Sequence, residues 1–62
     1  MNTRQVINLI EDDGWRYDYT SGGHMQFKHP VKPGKVTVPF HGANKDMNPR
    51  TVKSIKQQAG LQ

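Results

Sequence analysis

Between residues 3 and 13, apolar side chains recur at Val6, Ile7 and Ile10, with Leu9 broadening the stripe, and that spacing predicts a helix. Asn2 with Gln5 three positions on makes a capping-box-like start, and Gly14 supplies a left-handed stop. The pattern then changes period. "WRYDYT" alternates, with Trp15, Tyr17 and Tyr19 on one side and Arg16, Asp18 and Thr20 on the other, as a strand does. Ser21-Gly22-Gly23 reads as a turn, and a second strand runs from His24 to about His29. There Met25 and Phe27 point one way and His24, Gln26 and Lys28 the other. After the Pro/Gly loop "PVKPGK", a third strand from Val36 to Phe40 sets Val36, Val38 and Phe40 against Thr37. Pro39 cannot donate to a ladder, which marks an edge or an end. A polar loop over 41–48 leads to a last helix capped by Asn48, started by Pro49 and ended by Gly60. Val52, Ile55 and Ala59 form its narrow apolar stripe, with Leu61 folding back over Ile55.

The predicted order is therefore helix, three strands, helix. Each helix has one apolar face, so an α+β architecture is expected: an antiparallel three-stranded meander with both helices on one face and the other face open. His24, Gln26 and Lys28 then share the open face, with Thr37 as their neighbour on the third strand. Trp15, Tyr17 and Tyr19 could stack on bases, but they share parity with the apolar helix faces and are expected in the core, which a small domain needs.

Length limits what else is possible. A chain of 62 residues is expected to be one domain over 1–62, of a size that buries only about 60% of its unfolded surface. There is no room for a catalytic domain beside a separate binding domain. The chain has no cysteine, which argues against a disulfide-stapled secreted module and a thiolate zinc module alike. No apolar run approaches a membrane span and no signal-peptide stretch opens the chain, so a soluble intracellular protein is the default.

The net charge of +4 is unevenly distributed. Residues 1–20 carry two basic and four acidic side chains, whereas 21–62 carry seven basic and one acidic. Lys28, Lys32, Lys35 and Lys45 surround the strand-and-loop end, and Arg50, Lys53 and Lys56 decorate the last helix. A polyanionic partner, with nucleic acid first, fits that asymmetry, and so does a solvated lysine-rich surface.

His24 is the residue with chemistry to offer. An imidazole on a strand, directly after two glycines that let the backbone turn or approach a ligand, can act as general base or acid. On RNA the useful proton is on the ribose 2′-OH, whose oxygen then attacks the adjacent phosphate. That reaction calls for cations near the phosphate oxygens and for no metal or protein nucleophile. From the residues alone, an ordinary exposed histidine beginning a strand remains the competing reading. His29 has core parity beside Pro30 and reads as structural, while His41 follows the third strand within reach of the open face. No HExxH spacing or supporting carboxylate accompanies the three histidines, so no metal and no cofactor is expected.

Taken in order, "GW" at 14–15, "GGHMQFKHP" at 22–30, "KPGKVTVPFH" at 32–41 and "PRTVKSIKQQAGL" at 49–61 resemble the HicA family of toxins, over essentially residues 2–61. The resemblance implies a fold like a double-stranded-RNA-binding domain, α-β-β-β-α, the order read above. It implies a type II toxin–antitoxin toxin that cleaves mRNA as an endoribonuclease in the cytoplasm, arresting translation and growth. It also implies a HicB-type antitoxin that masks a glycine-flanked essential histidine, which maps onto His24. Gly22 and Gly23 would position that site, with Lys28, Lys35, Gln26 and Thr37 as RNA contacts and the free toxin monomeric. Met25 stands where a second histidine is frequent. Arg50 stands where glycine commonly precedes the last helix, and is expected to add charge there without touching the site. Lys56 replaces a common leucine. A non-catalytic RNA-binding module of the same fold is the first rival reading, and a chain that serves mainly as the partner-binding half of a DNA-binding complex is the second.

Overall fold

A computed structural model describes residues 1–61 and contains α1 (Thr3–Asp12), β1 (Arg16–Ser21), β2 (His24–Lys28), β3 (Val36–Pro39) and α2 (Pro49–Gln58). Each helix is fixed by its ends. Asn2 accepts from the Gln5 backbone N–H at 2.8 Å, and its own N–H donates to the Gln5 side chain at 2.9 Å, closing the capping box. Asn48 accepts from the Arg50 N–H at 2.8 Å, with Pro49 at the first helical position, where no donor is needed. At the far end of α2, the N–H groups of Gly60 and Leu61 donate to the carbonyls of Gln57 and Lys56, the paired bonds of a Schellman stop.

The sheet order is β1-β2-β3, antiparallel throughout. Gly22 and Gly23 both have positive φ, 57° and 77°, as a two-residue type I′ hairpin requires. The β2–β3 ladder pairs His24 with Pro39, Met25 with Val38, Gln26 with Thr37 and Phe27 with Val36. The core gathers Val6 and Ile10 from α1, Trp15, Phe27, Val36 and Val38 from the sheet side, and Ile55 and Ala59 from α2. Both helices thus bury their apolar stripes in one cluster against the Phe27 face of the sheet. No described helix is long and apolar enough to cross a membrane.

In three places the sequence pattern misleads. Of Trp15, Tyr17 and Tyr19, only Trp15 is buried; the tyrosines are 50% and 46% exposed. For Tyr19 the cause is a β-bulge: Tyr17 pairs with Phe27 but Tyr19 pairs with Gln26, so Asp18 is the extra residue and the parity flips across it. Tyr17 keeps its core-side parity but lies on the outer strand β1, which is exposed along its whole length. Phe40 is 40% exposed although Val36 and Val38 are fully buried. Its N–H still donates to Gly23 O at 3.0 Å, but its ring lines a shallow apolar hollow with Tyr17, Thr20 and Met25 instead of joining the core. The loop over 41–48 is more than a polar connector. Its Ala43 and Lys45 carbonyls accept from the Arg4 and Thr3 N–H groups at 3.0 Å, satisfying donors that the first turn of α1 leaves free. Its Met47 packs on the core.

His29 is structural, as its parity predicts. Nδ1 accepts from the backbone N–H groups of Val31 and Lys32, both at 3.0 Å, so the ring proton belongs on Nε2, which faces Asp13 O at 2.7 Å. The ring stands edge-on to Trp15 with centroids 5.1 Å apart. Beside it, Lys32 pairs with the Asp13 carboxylate and reaches Ala59 O at 3.1 Å, tying the end of α1 to the end of α2. The hydrogen bond from Lys32 holds the Asp13 carboxyl below the usual aspartate range.

Candidate active site

His24 opens β2 immediately after the glycine turn, paired with Ser21 on one side and Pro39 on the other. Its side chain is exposed. Gln26 and Lys28 follow on the same face, while Met25 is half-buried and Phe27 buried on the opposite one. Thr37 completes the set: its hydroxyl donates to Gln26 Oε1 at 2.7 Å, and its backbone N–H donates to the Gln58 side chain of α2 at 2.9 Å. That second bond matters because β3 is an edge, and Gln58 occupies a donor that would otherwise face water or another chain.

α2 runs beside this edge, and a groove forms between the two. Its walls are His24, Thr37 and Pro39 on the sheet and Arg50, Thr51, Ser54, Ile55 and Gln58 on the helix, enclosing about 320 Å³. Arg50, Ser54 and Gln58 follow at intervals of four, so they share one helix face. The expectation that Arg50 adds charge away from the site is therefore corrected: Arg50 lines the same groove as His24. The reason is tertiary. The first turn of α2 lies against the end of β3, where Pro39 pairs with His24.

The two lysines chosen from the sequence lie elsewhere. Lys28 shares the face of His24 but pairs loosely with Asp18 at 3.7 Å, both side chains being solvated. Lys35 places its ammonium 5.9 Å from the centroid of the Tyr19 ring. Neither lines the groove. His41 lines a separate cleft with Thr3, Lys45, Asp46 and Asn48, behind Pro39 and Thr51. Among the described residues no three His, Asp or Glu side chains stand close enough to hold a metal ion.

The family model for the HicA toxin of bacterial toxin–antitoxin systems matches residues 3–61, from the first residue of α1 through the Schellman stop. The chain belongs to the HicA toxin family. No curated protein matches it at a significant level. As a HicA toxin it is the toxin half of a two-component pair and has a cognate antitoxin. In this HicA chain the helix wall facing the histidine carries a guanidinium, two hydroxyls and an amide. Sequence periodicity shows that Arg50, Ser54 and Gln58 share a polar stripe, and only the packing of α2 on β3 shows what the stripe faces.

Proposed function

We propose that the chain is an endoribonuclease that cleaves mRNA in the cytoplasm without a metal ion, and that His24 is its general base. The observation that carries this reading is the groove: an exposed imidazole on one wall and a guanidinium with hydroxyl and amide donors on the other. His24 takes the proton from a ribose 2′-OH, and the oxygen attacks the neighbouring phosphorus. The P–O5′ bond breaks, the 5′-oxygen takes a proton from solvent water, and the upstream fragment carries a 2′,3′-cyclic phosphate. Charge that builds on the non-bridging oxygens is met by Arg50, with Thr51 and Ser54 as hydroxyl donors. The strand and the type I′ turn hold the imidazole more firmly than a loop would. A HicB-type antitoxin covering this groove would block substrate and protein chemistry together.

The test is purified native chain against His24→Ala and His24→Gln, on RNA in excess chelator, with cleavage and RNA binding measured together. Loss of general-base catalysis lowers the rate by about 10²–10⁴-fold while binding persists. Cleavage that survives both substitutions removes His24 from the mechanism, and cleavage that stops in chelator removes the metal-free claim. Tight binding with no turnover by the native chain would establish a binding module of the same fold.

A further inference from the structure

The Asp18 bulge sends Tyr17 and Tyr19 to opposite faces of the sheet. Tyr17, paired with Phe27, stands edge-on to that ring at 6.0 Å on the core side, and its hydroxyl is hydrogen-bonded to Thr20 at 2.8 Å. Tyr19, paired with Gln26, belongs to the face of His24. Tyr19, Gln26 and Thr37 form one row across all three strands, and Ser21, His24 and Pro39 form the next. Successive rows on one face are about 7 Å apart along a strand. A tyrosine ring, 46% exposed, thus lies one row from the imidazole, with the Lys35 ammonium beside it.

We infer that Tyr19 is a stacking platform for one base of single-stranded RNA, flanking the nucleotide on which His24 acts. Three observations carry it. An exposed aromatic on an open sheet face offers a π-surface that every base can use. Thr37 commits the Gln26 carbonyl oxygen, which leaves the amide nitrogen as Gln26's remaining polar end in the same row, a donor suited to a base edge. Lys35, already held at the ring, is placed to meet the phosphate of the stacked nucleotide. The bulge is the device that makes this possible, since unbroken alternation would send Tyr19 to the core side. The substrate class follows from geometry: bases in an A-form duplex are stacked on each other and present no free face, so a sheet-borne ring selects unpaired RNA.

This inference rests on the endoribonuclease reading and deepens it, and binding separates the two. The probe is a single-stranded RNA oligonucleotide carrying 2′-O-methyl groups throughout, which 2′-OH attack cannot cleave, beside the same sequence as a duplex. Both are titrated with the full chain at several salt concentrations. Tyr19→Ala and Tyr19→Leu are expected to weaken single-strand binding by about five- to a hundred-fold at every salt concentration, the range for loss of one base–aromatic stack. The salt slope should not move. Tyr19→Phe should bind as the native chain does, because the ring and not the hydroxyl is used, and duplex binding should be indifferent to all three. Lys35→Ala, in contrast, should flatten the single-strand salt slope by about 0.7. Native affinity in both Tyr19→Ala and Tyr19→Leu, in a protein that still binds and cuts RNA, overturns the inference alone. So does a loss of antitoxin capture without loss of RNA affinity, which would assign the ring to the protein partner. A native chain that binds neither RNA overturns the endoribonuclease reading as well.

Discussion

A β-carbon built on Gly14 would stand 2.6 Å from Nε2 of His29, inside the reach of any real contact. The two residues are locked together because that same nitrogen is bonded to Asp13 O, one residue before the glycine. Gly14 also has φ of 105°, a region that L-residues avoid. Gly14→Ala is therefore expected to destabilise the fold by about 2 kcal/mol or more through strain and clash together. Denaturant midpoints for Gly14→Ala in native and His29→Ala backgrounds test this. The penalty should shrink when the imidazole is gone and persist in part because the φ strain remains.

Arg50 gives the sharpest test of the groove. Arg50→Ala is expected to lower kcat/KM for RNA by about ten- to a hundred-fold, roughly 1–3 kcal/mol of transition-state stabilisation. Arg50→Lys should recover part of it, keeping charge but losing the bidentate fork. Stability should hardly change, since the side chain is exposed. Unaltered single-turnover rates for Arg50→Ala would remove the guanidinium from the reaction.

Asp13 sets an acid limb on stability. Its carboxyl titrates below the ordinary value of 3.8 because Lys32 donates to the ionised form. A pKa lowered in the folded state stabilises above the unfolded value, and that contribution is lost as pH falls through the folded one. Asp13→Asn should therefore be less stable than the native chain at neutral pH, with the gap closing below pH 3.8. Urea midpoints from neutral pH downward read this directly; a gap that stays constant into acid would mean that the ion pair contributes nothing.

Trp15 joins the sheet to the last helix through a buried hydrogen bond, Nε1–H to Ala59 O at 3.3 Å. Trp15→Phe is expected to cost about 2 kcal/mol, combining a lost buried hydrogen bond with the space left by the larger ring. The Ala59 carbonyl keeps Lys32 as a donor at 3.1 Å, which limits the damage. A Trp15→Phe/Lys32→Met double variant should lose more than the two single changes together, because the carbonyl is then stranded.

Most of the fold was legible because its signals are local. Caps at Asn2 and Asn48, the glycine pair at the hairpin and the period change at Trp15 each depend on a few neighbouring residues, and each element appears where those residues put it. The faces of Gln26, Thr37 and His24 were legible for the same reason. Tyr19 was not, because a bulge at Asp18 needs no glycine and is defined only by the partner strand; along β1 alone the alternation looks unbroken. Arg50 was not, because a helix stripe says nothing about which wall it will form. Thr3 is buried at 1% by the carbonyls of a loop some forty residues away, a contact no local pattern announces.

The groove has a consequence for connectivity as well as for shape. One wall is the hairpin that carries His24, and the other is a helix joined to it through the loop that follows β3. A chain cut in that loop keeps His24 with nothing opposite it and loses Ile55 and Ala59 from the core. Under the proposed function such a fragment would be harmless, and a partner that grips both walls would not hold it.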